Sequence, residues 1–292
     1  MNICKKNIFT LFVLMLSSTS VFAQLERKRV VQNPDVIQTF MAPRNINFYT
    51  VESLSPGELH YSIMHTFGEV KSGPGSLWGI DNGANVRFSF EYGVTDKWSL
   101  GFGRSSLDRV YDFTSRVAIL RQKSNNSIPV SLSLVPMMGI NTLSLEFLDE
   151  PYKFSDRLNF SIAMPVARKF NDRLSLQLMP VYSHFNRIGP ELSLISSTIN
   201  DYFGAGMAGR YKFTRSSAVT FQFTQPFSEA DNLDPNLAIG IDIETGGHVF
   251  QMFFSTTQAL SESYILAGPN GNFFDREFRF GFNINRLFKI GK

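Results

Sequence analysis

The 292 residues carry 28 basic and 25 acidic side chains, a formal net charge of +3, with 29 phenylalanines while all charged types together reach 18%. That near-balance offers no strongly basic surface of the kind nucleic acid requires. A single cysteine, Cys4, excludes a disulfide framework and a cysteine-held metal site.

In chain order the first segment is MNICKKNIFTLFVLMLSSTSVFAQ. Lys5 and Lys6 form a basic head, an apolar run follows from Ile8 to Leu16, and Val21 and Ala23 precede Gln24 with the spacing of a cleavage site. The run is well short of the roughly 20 apolar residues that cross a bilayer as a helix. Residues 1–23 therefore read as a secretory signal peptide. Its removal takes Cys4 with it, and no cysteine stands at the cleavage point to make a lipoprotein.

Residues 24–56 are polar, open with Glu26-Arg27-Lys28-Arg29 and include Pro34, Pro43 and Pro56. They read as an extended lead-in. Ile46 and Phe48 argue that it packs somewhere, as a plug or a partner-binding tail, and a loose leader is the other reading.

From Gly57 onward apolar residues recur every second position, the period of a strand with two unlike faces. Val86, Phe88, Phe90 and Tyr92 alternate with Asn85, Arg87, Ser89 and Glu91; Phe278, Phe280, Phe282 and Ile284 alternate with Arg279, Gly281, Asn283 and Asn285. Runs of this kind fall at 59–67, 84–93, 98–104, 111–120, 130–138, 158–166, 174–182, 203–213, 217–227, 237–243, 248–256 and 277–288. Short polar turns such as Thr95-Asp96-Lys97 and Gly246-Gly247 join the even-numbered runs to the next. Most odd-to-even links are long, as at 139–157 and 258–274. Short turns at one end and long loops at the other are the pattern of an outer-membrane barrel.

Composition decides which face is inside. The polar face is small and mostly uncharged, which suits a crowded lumen; a soluble barrel would show long charged side chains to water. Trp98, Leu100 and Phe102 are therefore expected to face lipid. The fold expected over 57–292 is all-β, a transmembrane antiparallel up-and-down β-barrel of about 12 strands in the bacterial outer membrane.

The run from His65 to Phe113 resembles an outer-membrane-type β-barrel family, a domain of unknown function common in Bacteroidetes-like bacteria. The matching pieces are His65-Thr66-Phe67-Gly68, Gly79-Ile80-Asp81, Arg87, Tyr92-Gly93-Val94-Thr95-Asp96 and Gly103-Arg104-Ser105-Ser106. Ala42-Pro43-Arg44 and Phe280-Gly281-Phe282-Asn283-Ile284 are similar too. The family often shows His-Arg-Phe-Gly where this chain has Thr66. The resemblance implies the barrel fold and its location, and no established activity.

Four motifs have bland explanations. GAGMAG, Gly204 to Gly209, fits a dinucleotide fingerprint, but Arg210-Tyr211-Lys212-Phe213 continues a strand where that motif needs a helix. His60 and His65 are five apart on one strand and face opposite ways. His184 beside Ser183 is the one hint of a nucleophile and base, and neighbours on a strand also face apart. The stretch Asp231-Asn232-Leu233-Asp234 lacks the glycine and distal glutamate of a calcium loop. No catalytic residue, cofactor or metal is expected.

Arg87, Glu91, Asp112, Arg116, Arg210, Lys212, Asp242, Glu244 and Arg279 fall on the polar face and are the candidate lumen-lining residues. Such charges either line a pore and set its solute preference or pair internally and stiffen a narrow barrel. The expected function is a narrow passive channel for ions or small solutes, with a blocked, non-conducting structural or ligand-binding barrel as the alternative and a lipid-active enzyme as a remote one. Outer-membrane lipids and the barrel-assembly machinery are the expected partners.

Overall fold

A computed structural model describes residues 34–144, 153–189, 195, 198–230 and 233–290. The expected signal peptide lies outside the described residues, as do Asp231 and Asn232 of the acidic stretch.

The first elements are two short strands, β1 (Arg44–Asn45) and β2 (Phe48–Tyr49), paired as a hairpin. The wall follows: β3 (Glu58–Glu69), β4 (Asn85–Thr95), β5 (Trp98–Ser105), β6 (Val110–Leu120), β7 (Ser131–Asn141), β8 (Leu158–Ala163) and β9 (Val166–Lys169). It continues with β10 (Leu174–Phe185), β11 (Asp201–Lys212), β12 (Ser217–Pro226), β13 (Asn236–Thr245), β14 (His248–Ser255) and β15 (Arg279–Lys289). Each wall strand pairs antiparallel with the next, except that β8 and β9 each pair with β7 and β10, and β15 pairs with β3 to close the sheet. All twelve alternating runs of the sequence are found in this wall. Closure leaves no edge with unpaired backbone groups, which the hydrocarbon layer would penalise.

One expected strand is split. The run at 158–166 forms β8 and β9, both lying between β7 and β10. Pro165, which has no N–H to donate, sits at the break. Its carbonyl still accepts from Ser133 N at 3.0 Å, so the two pieces act as one stave. Counted this way the barrel has 12 staves among the described residues.

The faces separate as composition requires. On β4, Phe88, Phe90 and Tyr92 are 42–44% exposed while Arg87 and Glu91 are 1% and 5% exposed. Trp98, Leu100 and Phe102 are also exposed, and Ser99 between them is buried. The apolar side chains thus form the outer band that meets lipid. Gly103 makes room for one of the buried charges: a Cβ there would stand 2.3 Å from the Arg87 guanidinium.

Short turns gather at the end where β3 begins and β15 finishes, the periplasmic end by the usual barrel orientation. The link after β6 is longer than the other turns at this end, spanning residues 121–130, with Lys123 N bonded to Ile128 O at 2.9 Å. At the outer end, residues 256–268 turn inward and include an α-helix, α1 (Glu262–Ala267), all six residues of which are buried. The sequence reading had only a long link there, because a six-residue helix leaves too short a period to detect.

Candidate functional site in the barrel lumen

The interior is filled from both ends. Residues 39–51 run up from the periplasmic mouth, turn at Ile46 and Asn47, and descend to β3; Ile46 and Asn47 are fully buried. Ile46 adopts a left-handed φ of 54°, which makes the tight reversal. Three apolar contacts seat this hairpin. Phe40 and Val51 pack with Ala167, Ile46 with Ala238 and Phe253, and Phe48 and Tyr49 join a cluster containing Met179, Ile265 and Leu266.

A hairpin of two residues per strand cannot satisfy its own backbone. The polar face of the wall does so instead. From β6, Arg116 donates to the carbonyls of Pro43 at 3.3 Å and Thr50 at 3.1 Å, and to that of Glu52. From β10, Gln177 Nε2 reaches Tyr49 O at 2.9 Å. From β14, Gln251 Nε2 reaches Arg44 O at 3.2 Å, and from β15, Asn283 Nδ2 reaches Ile46 O at 2.8 Å. On β12, Gln222 Oε1 accepts from Asn47 N at 3.1 Å. The wall side chains thus match the hairpin backbone from several directions at once.

The segment from the outer end meets the hairpin tip. Asn47 Nδ2 donates to Ala259 O at 3.2 Å, Tyr49 N donates to Glu262 Oε1, and Arg44 lies 3.7 Å from the same carboxylate. The Arg44 guanidinium also sits 3.8 Å from the centre of the Tyr49 ring.

The nine candidate charges divide by position. Arg87 and Asp112 form a buried two-pronged pair, with Nη2 to Oδ1 at 2.7 Å. Arg116 pairs with Glu91 at 2.8 Å, and Glu91 accepts from the Ser99 hydroxyl. Arg210 is buried and donates to Ser175 Oγ at 3.2 Å. Asp242 is buried and accepts from Gln251 at 3.2 Å. Lys212 is half-buried and Glu244 exposed at the periplasmic end of the wall. Arg279 sits at the outer end, bonded to Glu69 at 2.6 Å and to Thr256 O at 2.8 Å. The structure therefore brings two pairs together and distributes the others along the barrel.

Several residues of this interior escaped the sequence reading. Arg44 and Glu262 lie in irregular segments where no periodicity marks a face. Gln177 and Gln251 occupy inward strand positions, and that alternation was the available signal. His60 is buried 3.0 Å from Asn285 and His65 faces outward against Phe282, on opposite faces as the spacing requires. His184 has an acidic partner that spacing along the chain concealed: Asp201, opposite it in the β10–β11 register, lies 2.8 Å away. Ser183 is buried while His184 is half-exposed, so the two face apart. GAGMAG lies within β11, where Gly206 lets the Phe48 ring approach the wall.

A closed antiparallel barrel with an apolar outer band and a polar, packed interior defines a β-barrel membrane protein of the bacterial outer membrane. A family model described as "Membrane bound beta barrel domain (DUF5777)" matches residues 40–288, and the chain belongs to that family. Among solved structures, an outer-membrane channel from Pseudomonas putida F1 is similar with 14% identity and a TM-score of 0.50, over 82% of this chain and 98% of that one. The NanC porin is similar with 7% identity and a TM-score of 0.49, over 80% and 100%. Omp33 of Acinetobacter baumannii gives 7% and 0.42, over 79% and 98%. At such identities the likeness concerns the barrel fold alone. Among curated proteins none matches the chain.

Proposed function

We propose that this protein is an outer-membrane channel closed at rest by its own N-terminal hairpin, and that ions or small solutes pass when the hairpin leaves the lumen. The observation that carries the reading is the match between wall side chains and hairpin backbone. Arg116, Gln177, Gln251 and Asn283 all donate to carbonyls of residues 43–52. A barrel of about twelve staves is wider than the packed eight-stranded type and narrower than the open sixteen-stranded porins. Removing a hairpin from such an interior leaves a narrow polar conduit. In this reading Arg87, Glu91, Asp112, Arg116, Arg210 and Asp242 line the opened lumen, with Lys212 and Glu244 at its periplasmic end. Both signs are present, so strong charge selectivity is not expected. Catalysis has no part in the proposal, and insertion falls to the barrel-assembly machinery.

The test is single-channel conductance in planar bilayers, comparing residues 24–292 with the same chain lacking 24–56. A silent full chain and a conducting deletion support the closed channel. Steady conductance from the full chain would overturn the resting closure. Silence from both folded proteins favours the second reading, a permanently blocked binding barrel, for which the complete burial of α1 in the lumen argues.

A further inference from the structure

The lipid-facing side of β13, β14 and β15 carries a groove of about 390 Å³, bounded by Ile243, Phe250, Met252, Phe280, Phe282 and Ile284. All six side chains point outward on their strands. The register pairs Phe250 with Ile284 and Met252 with Phe282, so the groove follows the line where β14 meets β15. Its size is that of a site for a whole ligand.

Two basic side chains stand at the periplasmic foot of this groove. His248 is the first residue of β14, directly after the Gly246-Gly247 turn, and Arg286 is its partner in the β14–β15 register. His248 lies two positions from Phe250 and Arg286 two positions from Ile284, so each shares a face with a groove residue. The His248 ring stacks on that of Phe250 with centres 5.8 Å apart. Arg286 is exposed, donates to His248 Nε2 at 3.1 Å and lies 4.6 Å over the Phe288 ring. Among the described residues no carboxylate pairs with this guanidinium. A cation held in that way at the membrane boundary is placed to receive a phosphate.

We infer that this face seats one anionic glycerophospholipid of the periplasmic leaflet. Its phosphodiester lies on Arg286 beside His248, and one acyl chain lies in the groove above. Charge and depth choose the occupant. An apolar groove alone would take any hydrocarbon, whereas the guanidinium at its foot selects a phosphate. The place beside a short periplasmic turn selects the inner leaflet over the outer one. The seat also backs on to the hairpin's grip. Gln251 and Asn283 border the groove, and their side chains hold the carbonyls of Arg44 and Ile46 on the lumen side. The inference goes beyond the closed-channel reading and stands whether or not the lumen opens.

The experiment is native mass spectrometry of residues 24–292, refolded in detergent and titrated with phosphatidylglycerol, diacylglycerol of the same chains, or glycerol 3-phosphate. Phosphatidylglycerol should be retained as one molecule per barrel. It should bind at least roughly tenfold more tightly than diacylglycerol, which lacks the phosphate, or glycerol 3-phosphate, which lacks the chains. Arg286→Gln should weaken phosphatidylglycerol by a similar factor. Met252→Trp, which fills the groove and leaves Arg286 in place, should do the same. Gel migration before and after heating verifies a folded barrel for each variant. Equal retention of diacylglycerol, or an Arg286→Gln protein that binds as the parent does, overturns the seat. Paired barrels that carry no lipid overturn it too, by giving the groove to a second copy. So does a preference for lipid A, which would assign this face to the outer leaflet.

Discussion

Arg44 and Glu262 meet at 3.7 Å inside the barrel, the first on a hairpin that enters from the periplasmic end and the second on a helix that enters from the opposite end. Both are almost fully buried. The pair joins the two segments that fill the lumen, so it is the place where a disturbance at one mouth reaches the other.

Glu262→Gln should loosen the hairpin. It leaves the Arg44 guanidinium buried without its counter-charge, a change that costs ~3–5 kcal/mol for pairs of this kind. A cysteine reporter is clean in a protein of residues 24–292, because the sole cysteine is Cys4. Maleimide labelling of Ile46→Cys, slow in the parent, should become fast in the Glu262→Gln background. Unchanged labelling would show that the apolar contacts alone hold the hairpin.

Arg116 is the main polar clamp, gripping three hairpin carbonyls and Glu91 at once. Arg116→Met should lose hydrogen-exchange protection across residues 43–52 and raise opening frequency in bilayers. Arg116→Lys should rescue little, since one ammonium cannot span the same set of acceptors.

Arg87 and Asp112 make a contrasting case, a wall pair bonded to each other. Either single truncation should destabilise the barrel by ~3–5 kcal/mol, while a paired Arg87→Met and Asp112→Leu replacement should come close to neutral. Urea unfolding midpoints measure this. A double variant as unstable as the singles would refute pairwise compensation.

The entrance of the hairpin carries a pH-sensitive latch. Asp35 lies 2.6 Å from Lys123 and 3.5 Å from Arg121. Partial burial opposes its ionisation, but the Lys123 hydrogen bond and the two cationic charges prevail and hold its carboxyl below the ordinary 3.8. A carboxylate lowered in this way stabilises above its unfolded value, and the contribution disappears as pH falls through the folded one. The part of the opening frequency that Asp35 controls should therefore be constant between about pH 5 and 8 and rise only below about pH 3.8. Asp35→Asn should abolish that rise by raising the baseline at neutral pH.

On the outer face, Phe90 stands mid-strand, opposite Phe102 and stacked on Tyr61 at 4.9 Å. Phe90→Arg should cost ~2–4 kcal/mol, and the same change at Tyr92, nearer the end of β4, should cost less. Refolding into lipid vesicles across a urea series gives both values. Equal penalties at the two positions would argue against this depth assignment.

The wall was legible because lipid and lumen each impose a simple rule on alternate residues. Phe88 and Arg87 announce their faces through period alone, and the same rule located Trp98, Leu100 and Phe102. Pro165 was the exception. Its missing donor breaks a stave without disturbing the apolar alternation on either side. The contents of the lumen were far less legible. Ile46 and Phe48 hinted that the lead-in packs, but the Arg44–Glu262 contact joins two irregular segments remote in sequence, and local pattern carries no trace of such a meeting. The polar positions Gln177, Gln251 and Asn283 follow the strand rule, yet what they bind depends on a backbone that reaches them only after folding.

The hairpin precedes the first wall strand in the chain, and one of its bonds goes to Asn283 on the last. That bond requires the hairpin to sit within the lumen beside the stave that closes the sheet. The hairpin is thereby tied to the seam from the inside, a stitch beside the backbone ladder that joins β15 to β3.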